Sequence, residues 1–452
     1  MVAPKSFSIR MYNVGFGDCF LLTFDYGTDV ANQPTNSAGA GVQRRHILFD
    51  HGSTSRARTR LSLAAIAKQV ATDTDGKLDA VVVTHRHKDH LSGFGTKAGK
   101  AILDLRPDLV VRSWTEDPVL QKDAGKPVSL ARAGASIGAA TGIRATNVQY
   151  LSTIAAGEQM AASIVRRAAE AGRSRTNLAQ AADDAVTNAA AVDALAKVSG
   201  HGAGEYLYSG RKEDGTYRTT RLESMLPGVK IHVLGPPRPS DWPDVIDQAE
   251  ESSEFWTGAP TQVRRVFGEP TVAPKASAPP LGTGGWIIDR LREDEQRQLL
   301  GLVRWLDDVL NNTSVILLFE VGDHKLLFCG DAQIENWSWA LKQAEDDPAL
   351  KQALAEVTVY KVGHHGSRNG TPRTLYNLWK AQDPQRVPFI ALMSTKKDVH
   401  GDGDHAVPRS TLVTALRERG RLVSTDDDDF DWIDISADAS SPKFTVTSGV
   451  IG

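Results

Sequence analysis

Ala80-Val81-Val82-Val83-Thr84-His85-Arg86-His87-Lys88-Asp89-His90-Leu91 is the stretch on which the reading of this chain turns. An apolar run leads straight into His85, His87, Asp89 and His90. The chain has only 12 histidines in 452 residues, so three so close together argue against a solvated polar loop that carries them by chance. Imidazole and carboxylate are the ligands zinc takes where no thiolate is offered, and they also suit manganese or iron. In extended chain, side chains two apart point the same way, so His85 and His87 can grip one ion together. The turn that follows carries Asp89 and His90 toward a neighbouring position, where a second ion would sit.

Composition frames that site without naming a substrate. With 41% apolar and 24% charged residues, the chain has the make-up of a soluble globular protein. A formal net charge of -3 gives no global basic field for nucleic acid. No secretory signal and no apolar run of membrane-spanning length is read, so the expected location is cytoplasmic. Cys19 and Cys329 each fall in an apolar run and are expected to be buried, inert thiols.

The chain order gives strands at Ser6 to Val14, Cys19 to Phe24 and His46 to Phe49, with a flexible connection from Gly27 to Gln43. A helical pattern through Leu61, Ala64, Ala65, Lys68 and Val70 precedes the strand before the histidines. Strand, helix, strand with a polar cluster at the strand end belongs to an α/β layer fold. Between Ala155 and Ala196, alanine dominates. Leu178, Ala182, Ala185, Ala189, Val192 and Leu195 recur at spacings of three and four, one narrow apolar face capped by Thr176 or Asn177 and ended by Gly200. That seam suits a helical insertion or a self-association surface, and a homo-oligomer or protein partner is expected through it. Leu299, Leu302, Val303, Leu306, Val309 and Leu310 form a further amphipathic helix.

The pattern occurs twice. Cys19 to Gly52 reads strand, turn, strand, Asp50; Thr313 to Asp331 reads strand, the turn Val321-Gly322-Asp323, strand, Gly330-Asp331. A helix and a strand then lead to His85 in the first case and to Gly363-His364-His365-Gly366-Ser367 in the second. An internal repeat overrides a count by length. The expected organisation is one duplicated unit, with 1–112 as its first half, 113–228 as a helical insertion and 229–452 as its second half, broken by an irregular excursion at 238–298. The run Asp426 to Asp429 reads as a solvated turn, since it lacks a spaced calcium loop.

With these residues in hand, the chain resembles the metallo-β-lactamase superfamily, and within it the hydrolase domain of the ComEC competence proteins and their stand-alone relatives. The pieces are N-V-G-F-G-D (13–18), L-F-D-H-G (48–52), T-H-R-H-K-D-H-L-S-G (84–93), N-N-T-S-V-I-L (311–317), L-F-C-G-D (327–331) and K-V-G-H-H-G-S (361–367), with a weaker echo at Asp404-His405 before Pro408. The resemblance implies an α/β fold, an αββα sandwich with two divalent metals at its edge, zinc first and manganese or iron as alternatives. It gives His85 and His87 to one metal, Asp89 and His90 to the other, and Asp331 as the bridge. One of His364 and His365 completes the second site, with His364 favoured, and Asp50 orients a ligand from behind. One departure stands out. Val233-Leu234-Gly235-Pro236 offers glycine where many members carry a third histidine, and the nearby His232 reads as a packed strand residue.

The implied chemistry is hydrolysis by a hydroxide held between two divalent ions. Asp89 is also placed to shuttle a proton, and His405, or else His400, to serve the leaving group. Arg56, Arg58, Arg60, Arg368, Lys396 and Lys397 in the loops would make a positive mouth suited to phosphate, with Asn312, Ser314 and Ser367 as neutral donors. The leading expectation is therefore a phosphodiesterase or nuclease acting on nucleic acid or nucleotides. The alternatives are a small-molecule hydrolase of a lactone, lactam or thioester, and a metal-stabilised interaction protein.

Overall fold

The computed structural model describes residues 2–35, 39–54, 61–95, 97–120, 139–172, 176–186, 188–199, 203–211, 216–246, 252–256, 285–397, 399, 406–427 and 429–451. Among these residues, fourteen strands lie in two mixed sheets. The first half supplies β1 (Ser6–Tyr12), β2 (Phe20–Asp25), β3 (Arg44–Phe49), β4 (Ala80–Val82), β5 (Leu109–Ser113) and β6 (Gly204–Leu207). The second supplies β7 (Val229–Gly235), β8 (Ile316–Val321), β9 (His324–Phe328), β10 (Val359–Lys361), β11 (Ile390–Met393) and β12 (Arg421–Ser424), before β13 (Trp432–Asp438) and β14 (Thr445–Gly449).

The repeat read from the sequence is written into the pairing. In the first sheet β1, β2 and β3 are joined antiparallel, and β3, β4, β5 and β6 parallel. In the second, β7, β8 and β9 are antiparallel, and β9, β10, β11 and β12 parallel. The two orders match strand for strand. The last hairpin departs from the expected second half: β13 crosses back and pairs antiparallel with β1, with β14 outside it.

Residue alternation explains which face goes where. In β1, Phe7, Ile9 and Met11 are buried while Ser8 and Arg10 are less so, the period of two expected of a strand. β8, Ile-Leu-Leu-Phe-Glu-Val, is apolar almost throughout because it is covered on both faces. Ile9, Leu22 and Phe49 of the first sheet share one hydrophobic cluster with Leu317, Phe319 and Phe328 of the second. The Phe49 and Phe328 rings stack at 4.4 Å between centroids. Outward residues of the second sheet (Leu318, Leu327, Tyr360) pack instead with Trp337, Leu354, Trp379 and Leu416 from helices Ile334–Asp346, Pro348–Ala355, Arg373–Lys380 and Ser410–Arg419. Leu21, Leu48 and Val81 do the same with Ile66 and Val70 of helix Leu63–Asp73.

The Ala-rich stretch is helical, but not as one continuous face. Helix Asn177–Ala185 starts on a Thr176 cap, whose hydroxyl accepts from Ala179 N, and a second helix runs Ala189–Ser199. Its seam is used inside the chain: Ala182 and Ala185 are fully buried with Val303, Leu306 and Leu310 of helix Gly285–Asn311 and with Ile154 of helix Ala139–Glu170. Small side chains let those helices approach closely. Leu302, expected on the apolar face, is 51% exposed. The stretch read as purely helical also holds β6, the edge strand of the first sheet. Cys19 and Cys329 are free and buried, as expected, and burial pushes the Cys329 thiol up to about 12. Among the described residues, no helix is long and apolar enough to cross a membrane.

Candidate metal centre

Four equivalent strand ends meet at one edge. Asp50 follows β3, His85 follows β4, Asp331 follows β9, and His364 and His365 follow β10. Each is just beyond the carboxyl end of a strand with a parallel neighbour, where α/β sheets place their ligands. Two glycines let the loops close on one another. A Cβ on Gly330, which has φ of +51°, would lie 2.6 Å from Thr84 Cβ, and one on Gly52 would lie 2.6 Å from the Asp89 carbonyl carbon. Asp50, His364 and His365 hold positive φ (55°, 46° and 50°) without being glycine, a strained arrangement common at functional sites.

His90 Nε2 lies 3.1 Å from Asp331 Oδ2 and 3.9 Å from Asp89 Oδ2. His365 Nε2 lies 3.0 Å from Asp89 Oδ2 and 3.1 Å from Asp331 Oδ2. These four groups, all within 4.8 Å of one another, can hold a metal ion. Beside them His85 Nε2 faces His87 Nδ1 at 2.9 Å, and the His85 and His90 rings are 4.2 Å apart. His87 is extended, with φ -67° and ψ 153°, which is why positions 85 and 87 converge. The far nitrogens are tied down. His90 Nδ1 is 2.8 Å from Asp50 Oδ2, itself fixed by the Thr84 amide and hydroxyl, and His365 Nδ1 is 2.8 Å from the Ser394 carbonyl oxygen.

Charge in the site is organised around cations. Burial alone would lower the His90 imidazole, but the carboxylates of Asp331, Asp50, Asp89 and Asp18 outweigh it and hold it well above the usual histidine range. Burial likewise opposes His365, which Asp331, Asp89 and Asp18 raise to about 10. His85 and His87 go the other way, lowered chiefly by burial. Lys361, 2% exposed, joins Asp18 in an ion pair, sits 3.3 Å from Asp331 Oδ1 and donates to the Gly330 carbonyl at 2.9 Å. Asp18, Asp50 and His90 also cluster closely. Lys361 already supplies the cation there, so this second group reads as a support for the first.

The predicted residues divide accordingly. His85, His87, Asp89, His90, Asp331 and His365 come together, with Asp50 behind His90. His364, favoured over its neighbour, also lines the cavity that opens on the cluster, with its Nε2 3.5 Å from Asn311 Nδ2 and its Nδ1 3.4 Å from Gln333 Nε2, while the close four-group cluster takes in His365. Of these two consecutive residues at positive φ, His365 is the one whose ring nitrogen lies within 4.8 Å of the ligand atoms of Asp89, His90 and Asp331. Asn312 and Ser314 are almost fully buried and serve the scaffold: Asn312 donates to Glu335 and accepts from Gln333 N, while Ser314 Oγ accepts from Asp331 N. Ser367 donates to Asn369, and the Arg368 guanidinium lies over the Phe255 ring. Lys397 is taken by Asp426 and Asp427. His232 pairs with Glu320 at 2.6 Å, a strand residue as expected. Arg56, Arg58, Arg60, His400 and His405 lie outside the described residues.

Sequence reading missed Asp18, Lys361, Asp184 and Asp307. Asp18 and Lys361 carried a signal, being charges at the ends of apolar runs. Asp184 and Asp307 carried none, because helices distant in sequence bring them in. A cavity of about 240 Å³ opens on the cluster, lined by His87, Asp89, Asp331 and His365 and walled by Asp184 and Asp307. Burial, with Asp307 and Asp89 nearby, pushes the Asp184 carboxyl up to about 7; burial does the same to Asp307, with Asp89 and Asp331 adding to it.

No protein-family model matches the sequence, and no curated protein matches it either. The residues themselves fit a divalent-metal centre. The buried Nε2 atoms of His87 and His90 have no hydrogen-bond partner, and the donor set is the imidazole–carboxylate mixture that zinc and its neighbours take.

Proposed function

We propose that this protein is a metal-dependent hydrolase of the metallo-β-lactamase superfamily, an αββα sandwich whose substrate is a short phosphodiester of nucleotide size. The observation that carries the reading is the meeting of His90, Asp89, Asp331 and His365 beside His85 and His87, from both halves of a duplicated chain. His85 and His87 would hold one ion, and Asp89, His90, Asp331 and His365 the other. Bound there, divalent ions supply Lewis acidity toward a phosphoryl or carbonyl oxygen and acidify water.

The chain's own residues do the rest. Asp50 and the Ser394 carbonyl orient the His90 and His365 rings, Lys361 balances Asp18 and Asp331, and Asp89 borders the cavity, where it can accept a proton. Phe16, Val303 and Val407 give the cavity apolar walls, and Arg304 faces it as a cation. Asp184 and Asp307 oppose a long polyanion, which favours a nucleotide-sized diester over duplex or extended nucleic acid. The same acidic, partly apolar wall supports a second reading, cleavage of a small ester, lactone or lactam.

The test is turnover by the zinc- or manganese-loaded protein of an aryl phosphodiester, a dinucleotide, single-stranded DNA and a small panel of lactones, lactams and thioesters. Turnover of the dinucleotide and aryl diester above the others supports the proposal. Activity confined to the ester panel would transfer it to the second reading, and inactivity on every substrate would end it.

A further inference from the structure

We infer that Asp307 is a positioning residue that fixes the ring of His87, supplied by the helix that covers the cavity and not by either sheet. The inference rests on the metal reading above. Each histidine of the inner cluster turns one nitrogen inward and anchors the other: His90 on Asp50 and His365 on the Ser394 carbonyl, both at 2.8 Å. Such outer partners select the tautomer and orientation of a ligating imidazole.

His87 follows the same rule with a different partner. Its Nδ1 faces His85 Nε2 at 2.9 Å, so that edge is the inner one. Its Nε2 points away, is buried and lies 3.4 Å from Asp307 Oδ1, and the Asn311 side chain also hydrogen-bonds the ring. Asn311, one helical turn further on, lines the same cavity wall. Val303, Leu306, Val309 and Leu310, all fully buried, fix how that helix is rotated. The Asp307 side chain borders the cavity beside His87, where a small rotation aligns it on the imidazole N–H.

The experiment is zinc titration against a chromophoric chelator, with metal content measured after dialysis, on the wild type, Asp307→Ala, Asp307→Asn and Asp308→Asn. Asp308 lies next in the same helix and bonds Gln333 instead, so it controls for lost charge alone. Asp307→Ala should weaken one of two zinc sites by about 10- to 100-fold. Asp307→Asn, which keeps an acceptor oxygen and nearly the same shape, should lose less, and Asp308→Asn should leave both sites at wild-type affinity. In zinc-loaded protein labelled with 15N-histidine, the His87 ring should be coordinated through Nδ1 and protonated at Nε2. Unchanged affinity in Asp307→Ala, an equal loss in Asp308→Asn, or coordination through Nε2 would each overturn the inference while leaving the hydrolase reading intact. A wild type that takes up no zinc overturns both.

Discussion

Lys88 Nζ lies 2.7 Å from Asp183 Oδ1, so a lysine set between two ligands reaches out to the Ala-rich helices. Arg86 does the same with Glu158 at 3.3 Å. The interleaved residues of the motif thus clasp the helical insertion while their neighbours face the candidate metal site. Arg86→Met should loosen that clasp: faster amide exchange at 85–91 and at 177–185, and a stability loss of about 1–3 kcal/mol from the uncompensated partner. Lys88→Ala, which breaks a pair with the exposed Asp183, should cost under about 1 kcal/mol. Exchange confined to the insertion, with none at 85–91, would contradict the coupling.

Removal of metal tests the ligand choice. His365→Ala and Asp331→Asn should each lower the zinc content of purified protein, whereas His364→Ala should retain the wild-type content. Elemental analysis after dialysis decides it, and the reverse pattern would restore His364 as ligand.

Lys361 should be indispensable to the metal-free fold. Lys361→Met removes the ammonium from between Asp18 and Asp331 and leaves them to the His90 and His365 rings alone, at a cost of about 3–5 kcal/mol in denaturant unfolding. Adding Asp18→Asn should recover part of that loss. Additive losses in the double variant would show that the three groups do not act together.

His51 gives a pH signature. Burial lowers its imidazole to about 4, against about 6.5 unfolded. As pH falls below 6.5 the unfolded chain gains a proton that the folded chain resists until near 4. Stability is therefore full above that window, declines through it, and levels off below. The decline should reach about 2–3 kcal/mol at pH 4.5 and be missing from the pH profile of His51→Leu. Parallel profiles for the two proteins would refute it.

Much of this was legible in sequence because ligands follow strands. The apolar runs before His85, Asp331 and His365 announced their strands, and the spacing of the two halves announced the duplication. What sequence hid was tertiary. Two consecutive histidines offer the same chemistry, and only the backbone at 364–365 decides which ring joins Asp89, His90 and Asp331. Asn312 gives its amide donor to Glu335, and Ser314 Oγ accepts from the Asp331 amide, contacts that no spacing along the chain announces. Asp307 lies on a helix whose apolar face was read correctly, yet nothing along the chain says what its polar edge meets. The return of the last hairpin could not be read either, since Trp432 to Ile435 would suit either sheet.

That return has a consequence for how the molecule can be divided. β13 runs alongside β1 from Ser6 opposite Asp438 to Tyr12 opposite Trp432. A cut between β6 and β7 would respect the duplication, yet it would strip the amino-terminal fragment of its outermost hairpin and hand that hairpin, orphaned, to the other fragment. The repeats have been sewn together at their far ends, and complementation in trans would have to rebuild that seam before His90 and His365 could meet.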